Sequence, residues 1–276
     1  MRFANHDGLP VVIDGDEVIE LVDRDSPVDF VGAIAAWPTY RDALATRPRR
    51  AFDPKLLGPP VPRPGKVVGA PVNYLDHKAE MNVDFTVAGL GFFLKSPSSI
   101  VGCDGEVPIP FPGRRTDQEA ELGVVIGRRA VDVTKQEALD HVFGYTCLLD
   151  ITVRGSEERS TRKSFPGFTP IGSWITTADE IPDPNALRVR GWVNGNLRQD
   201  APTSDMIYDV AALIEFMSSV IALEPGDVIA TGTPAGVGPI MPGDIVRVEI
   251  EGVSSIEIPV VDATREPHEV WQTKED

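Results

Sequence analysis

The sequence predicts an α+β fold, mostly β, with a small N-terminal domain ahead of a larger strand-rich one. Three observations predict it. Turn signals set off short apolar runs along most of the chain. Only two helical stretches interrupt the strands of the larger part. The connector Gly58-Pro59-Pro60-Val61-Pro62-Arg63-Pro64-Gly65 can continue neither a helix nor a central strand, so it divides the chain into residues 1–62 and 63–276.

In the leading unit, residues 9–13 and 18–22 read as strands around the turn Asp14-Gly15-Asp16, and a helix interrupted by Pro38 follows over 29–45. Beyond the connector, Asn194-Gly195 between two apolar runs is a hairpin signal. Glu224-Pro225-Gly226-Asp227 and Met241-Pro242-Gly243-Asp244 suit type II turns, each before an apolar strand. One helix starts at Thr134, where Thr134 and Glu137 form a capping-box pattern. The other covers about 204–220, with Met206, Val210, Leu213, Ile214 and Met217 on one stripe. No solenoid repeat is present.

Composition excludes several classes. The 276 residues carry a formal net charge of −16, which repels phosphate backbones and argues against nucleic acid. No run of about 18 apolar residues exists, so no membrane partner is expected. Cys103 and Cys147 form no metal or disulfide spacing, and a reduced, cytoplasmic setting fits them.

Residues 116–126 carry the most chemistry. In a strand, alternate side chains share a face, so Glu119 and Glu121 point the same way, as does Asp117. Neighbouring carboxylates repel unless a cation or proton lies between them, and oxygen-only ligands suit Mg²⁺, Mn²⁺ or Ca²⁺ better than zinc. Taken alone, Glu-x-Glu more often marks a solvated strand face. The apolar run 143–149 ends in Asp150, whose carboxylate needs a partner, either Arg154 or a metal ion. His77 and Glu80 meet at i, i+3 if 73–81 is helical, an arrangement that suits a general base. His6, His141 and His268 lack such a companion and read as surface residues. Lys163 among bulky neighbours can bind a carboxylate or an enolate oxygen. Gly232, Gly236 and Gly238 let the backbone approach a ligand around Thr233.

Taken in order, these segments resemble the fumarylacetoacetate hydrolase family over about residues 66–261. The resemblance rests on Asn73-Tyr74-Leu75-Asp76-His77, Phe93-Leu94-Lys95, residues 119–127 and residues 144–150. It continues through Lys163-Ser164-Phe165, residues 194–200 and residues 231–238. The pattern departs at Pro71, Leu149, Pro166 and the interrupted Lys95-Ser96-Pro97. The resemblance implies a mixed β-sheet roll, a homodimer, and Mg²⁺ or Mn²⁺ (Ca²⁺ as a substitute) on Glu119, Glu121 and Asp150. It implies His77 and Glu80 as catalytic residues on a mobile lid over about 75–90, and Lys163 as both catalytic and substrate-binding. Tyr74, Gly232 and Thr233 are the other implied substrate contacts. The implied reaction is hydrolysis of a carbon–carbon bond in a 1,3-diketo acid through a stabilised enolate. The same family implies, as alternatives, a decarboxylase or isomerase of an oxo-dioate, or an inactive metal-binding homologue.

Overall fold

The computed structural model describes residues 1–264 together with His268 and Trp271. Among these residues the main sheet has 11 strands. At its heart the strand Ala120–Ile126 lies between Val142–Leu149 and Val228–Ala230, antiparallel to both. Val67–Gly69 and Phe93–Lys95 extend it on the Val228–Ala230 side. On the other side Ile175–Thr177 leads to Arg2–His6, Leu9–Asp14, Glu17–Glu20 and Arg49–Ala51. The N-terminal strands therefore continue the main sheet, and Phe3 packs edge-on against Phe143 with ring centroids 5.2 Å apart. A five-stranded sheet, from Asn196–Pro202 through Arg188–Val193, Ile245–Ile250 and Ser254–Asp262 to Val107–Ile109, packs over the central strands. Val142–Leu149 is buried between the two layers, which is why it reads as a continuous apolar run rather than an alternating one.

Local chemistry explains most boundaries. Asn194 and Gly195 take φ of 52° and 75°, as a two-residue hairpin requires. Gly226 and Gly243 take φ of 83° and 95° in the two Pro-Gly turns. The helix expected over 29–45 is two helices, Phe30–Ala35 and Trp37–Ala43. Asp29 caps the first by accepting the Gly32 N–H at 2.8 Å, and Pro38 sits in the first turn of the second, where it has no intrahelical donor to lose. The helix expected over 204–220 is Val210–Ser218. Asp209 accepts the Ala212 N–H at 2.8 Å and so fixes the start, while Met206 bridges to Tyr74. His6, expected at the surface, is buried, and its Nε2 accepts the Asp53 N–H at 3.1 Å. No helix among the described residues is long and apolar enough to cross a membrane.

Candidate metal centre and active site

The register of the two central strands assembles the acidic cluster. Ala120 stands opposite Leu149 and Glu121 opposite Leu148. One step further the Asp150 N–H donates to the Glu119 carbonyl at 2.9 Å, so Asp150 and Glu119 face each other across the ladder. Period-two alternation puts Glu121 on that same face. Ligand oxygens of Glu119, Glu121 and Asp150 all lie within 4.8 Å of one another, and all three residues are buried. The strand is not continuous through 116–126. It breaks at Glu119, where Thr116–Gln118 leaves to pair with Thr152–Val153 and Gly238–Pro239. The freed Ala120 N–H is taken by the buried Gln199 Oε1 at 2.9 Å.

Asp117, expected beside the two glutamates, is instead held by Arg115 at 2.7 Å and by Arg154 Nε at 2.6 Å. Arg154 also reaches Glu119 at 2.7 Å and does not pair with Asp150. The cations on Asp150 are two lysines: Lys95 Nζ at 2.5 Å and Lys163 Nζ at 2.5 Å. Lys163 further donates to Glu119 at 2.8 Å and to Thr152 Oγ1 at 2.6 Å, and Lys95 to the Phe168 carbonyl at 2.7 Å. Lys95 is thus a site residue that the sequence placed in a motif but gave no role.

These contacts set the electrostatics. Burial raises the Glu119 carboxyl, but Lys163, Arg154 and His77 outweigh it and hold the group below the usual range. Burial, then Asp150 and Glu119, push the Glu121 carboxyl well up. It accepts the Gly232 N–H at 2.8 Å, and among the described residues it has no cationic ion-pair partner. Burial pushes Lys163 down, yet Asp150 and Glu119 together hold it above the ordinary lysine value. For Lys95, burial wins over Asp150 and the value falls. A buried, all-oxygen set in which Glu121 has no cationic partner is the donor chemistry that a hard divalent cation fits.

A cavity of about 210 Å³ opens on this cluster. Its wall brings together Glu119, Glu121, Asp150, His77, Lys163 and Thr233. His77 lies on the short helix Leu75–Glu80, with Nδ1 3.0 Å from Glu80 Oε2. A carboxylate only accepts, so in the neutral ring Nδ1 carries the proton and Nε2 keeps its lone pair. Glu80 Oε1 accepts the Gly236 N–H at 3.0 Å, which ties this helix to the glycine-rich loop. Gly236 has φ of 99°, a conformation that suits only glycine there. At the base of the helix Asn73 donates to the Tyr208 and Thr231 carbonyls at 2.9 and 2.8 Å and accepts the Tyr208 N–H at 2.9 Å. Val72 beside it is forced to φ of 51°.

Two expected substrate contacts lie behind the wall. Tyr74 is fully buried, and burial followed by Glu121 raises its phenol. Gly232, at φ of 94°, aims its N–H at Glu121, and a Cβ there would meet Asn73 Cβ at 2.7 Å. Thr233 does reach the cavity, its hydroxyl donating to the Ala120 carbonyl at 2.8 Å and accepting from Gln199 Nε2 at 2.6 Å. Pro71, a departure from the family pattern, also lines the cavity and offers it no N–H. Arg159 and Arg162 complete the wall and were not anticipated.

Residues 66–261 match the family described as "Fumarylacetoacetate (FAA) hydrolase C-terminal". The maleylpyruvate hydrolase of Aquipseudomonas alcaligenes is 39% identical over 281 residues, spanning 90% of this chain and 95% of that protein. The crystal structure of maleylpyruvate hydrolase from Sphingobium sp. SYK-6, in complex with manganese(II) and pyruvate, is 37% identical at a TM-score of 0.83. That match covers 96% of this chain and 100% of the other. The 5-carboxymethyl-2-hydroxymuconate delta-isomerase of Mycobacterium smegmatis is 30% identical at a TM-score of 0.75, covering 96% of this chain and 100% of that one.

Proposed function

This chain belongs to the fumarylacetoacetate hydrolase family, and we propose that it is a divalent-metal-dependent hydrolase that cleaves a carbon–carbon bond in an acylpyruvate. One observation carries the proposal: the buried triad Glu119, Glu121 and Asp150 shares a cavity with His77, whose ring Glu80 orients. Glu119, Glu121 and Asp150 would hold Mn²⁺ or Mg²⁺, which would supply Lewis acidity at the keto-acid end of the substrate. His77 Nε2 takes a proton from water, and the water oxygen bonds to the acyl carbonyl carbon. The bond from that carbon to the methylene then breaks. The acyl fragment leaves as a carboxylic acid, and the three-carbon fragment gains a proton to become pyruvate. Lys163 spends its three donors on Glu119, Asp150 and Thr152, so we read it as binding the keto-acid carboxylate by exchanging one of these acceptors, with Thr233 as a further polar contact. Phe93, Met81 and Val83 add apolar surface to the cavity wall.

We further read residues 75–90 as a lid that orders on substrate binding. Leu75 and Phe85 are exposed on it, and its helices are short. The setting is read as cytoplasmic, from its two free cysteines, and the assembly as a homodimer. The apolar strand Val142–Leu149 is not the surface for that dimer, because the chain covers it itself. Leu197, Met241 and Ile245 are exposed and remain available. Light scattering that returns a monomer mass at micromolar concentration overturns the dimer.

A second reading, enol–keto isomerisation of a diene dioate, is favoured by the similarity to an isomerase, because the same His–Glu pair can move a proton without water attack. Incubation of acylpyruvates and of oxaloacetate, with and without Mn²⁺, separates the two. Stoichiometric pyruvate release from an acylpyruvate supports hydrolysis. Isomerisation, or decarboxylation of oxaloacetate, with no cleavage of the acylpyruvate overturns it.

A further inference from the structure

We propose that Arg159 and Arg162 are specificity-determining residues, which bind a second carboxylate on the acyl end of the substrate. The proposal rests on the hydrolase reading of the cavity and deepens it. Glu158 accepts the Ser160 N–H at 2.6 Å and starts the single helical turn Arg159–Arg162. At i, i+3 the two guanidiniums share one face of that turn, and both line the cavity.

The other arginines near this wall are occupied. Arg154 is held by Asp117 and Glu119, and Arg114 by Glu157 at 2.8 Å. Arg159 and Arg162 have no carboxylate partner among the described residues. The best contact of Arg162 is a weak one, Nη1 to the Val153 carbonyl at 3.5 Å, and its Nε is buried with no partner at all. Burial and the like charge of Arg154, then that of Arg159, lower its basicity, although Glu119 and Asp150 act the other way. Leaving a guanidinium N–H buried and unpaired is costly, and an anion from the cavity removes the cost.

The geometry sorts the substrate's two ends. Lys163, the residue after Arg162, is turned to the acidic cluster where the keto-acid end binds. The arginine pair lines the same cavity, and the proposal seats the acyl group against it. A planar guanidinium pairs with a carboxylate through two parallel N–H donors, so a diacid satisfies both ends of the cavity. A neutral acyl chain leaves the pair uncompensated.

The test uses Mn²⁺-loaded enzyme with Arg159→Gln, Arg162→Gln, the double variant and Arg162→Lys. For an acylpyruvate bearing a distal carboxylate, each Gln variant should lower kcat/KM by about 10–100-fold, chiefly through KM. Arg162→Lys should recover part of the loss, and acetylpyruvate, which has no distal carboxylate, should be unaffected throughout. Equal losses on both substrates, or no loss on the diacid, overturn the proposal. Calorimetry with maleate and with pyruvate adds a readout free of turnover: maleate should weaken in the double variant and pyruvate should not. If wild type cleaves no acylpyruvate, the hydrolase reading fails, yet maleate binding still decides the arginines. Equal maleate affinity in wild type and double variant rules them out.

Discussion

Lys95→Met probes the charge balance of the acidic cluster directly. Lys95 is 1% exposed, and its Nζ donates to Asp150 Oδ1 at 2.5 Å and to the Phe168 carbonyl at 2.7 Å. Methionine fills nearly the same volume, so the change removes a cationic donor with little cavity. Breaking a buried ion pair costs roughly 3–5 kcal/mol. The orphaned Phe168 carbonyl adds about 1–3 kcal/mol, offset in part because no ammonium need be desolvated. The net expectation for metal-free protein is a loss of about 3–5 kcal/mol. The same substitution makes the carboxylates more anionic, so Mn²⁺ should bind more tightly. Wild type is stabilised by the metal too, so at saturation each tenfold gain in Mn²⁺ affinity recovers about 1.4 kcal/mol of the loss. Urea unfolding in EDTA and in saturating Mn²⁺ measures both effects. An unchanged midpoint in EDTA refutes the reasoning. So does an equal loss in both conditions, since Lys95 would then serve packing and not charge.

Three further outcomes follow from the geometry. His77→Ala should lower kcat by roughly 10²–10⁴-fold while Mn²⁺ affinity, measured by calorimetry, persists; an unchanged kcat places water activation elsewhere. Asn73→Ala strips three hydrogen bonds from the buried base of the helix that carries His77 and should cost about 2–4 kcal/mol in urea unfolding, with any loss under about 1 kcal/mol contradicting that role. Burial pushes the Cys147 thiol up to about 12, so the reactive thiolate is scarce at pH 8 and grows only as pH rises toward that value. A chromogenic disulfide should therefore react with Cys147 only after unfolding, as peptide mapping of the labelled site will report; rapid native labelling contradicts it.

How legible was the site in the sequence? Glu119 and Glu121 were readable because a strand repeats every two residues, and Asp150 because a carboxylate ends an apolar run. Period alone could not show the break at Glu119, which depends on Thr116–Gln118 finding partners far along the chain. The partner of Asp150 was left open between Arg154 and a metal. Its protein partners are Lys95, 55 positions away, and Lys163, and pairing at such range leaves no trace in local spacing. Asp117 shares the period of the two glutamates but is captured by arginines. Arg159 and Arg162 occupy one helical turn, too short for any periodicity to register. Turns were read well, since Asn-Gly and Pro-Gly carry their own backbone geometry. Helix ends were read less well: the helix expected from about residue 204 starts after Asp209, whose half-buried carboxylate caps it.

Turnover of an acylpyruvate by the Mn²⁺-loaded enzyme in H₂¹⁸O tests the proposed reaction most directly. Mass spectrometry should find one ¹⁸O in the carboxylic acid derived from the acyl group, with pyruvate formed in equal amount. Hydrolysis by water attack at the acyl carbonyl requires that label. Product without ¹⁸O in the acyl carboxylate, or isomerised substrate with no pyruvate, contradicts it.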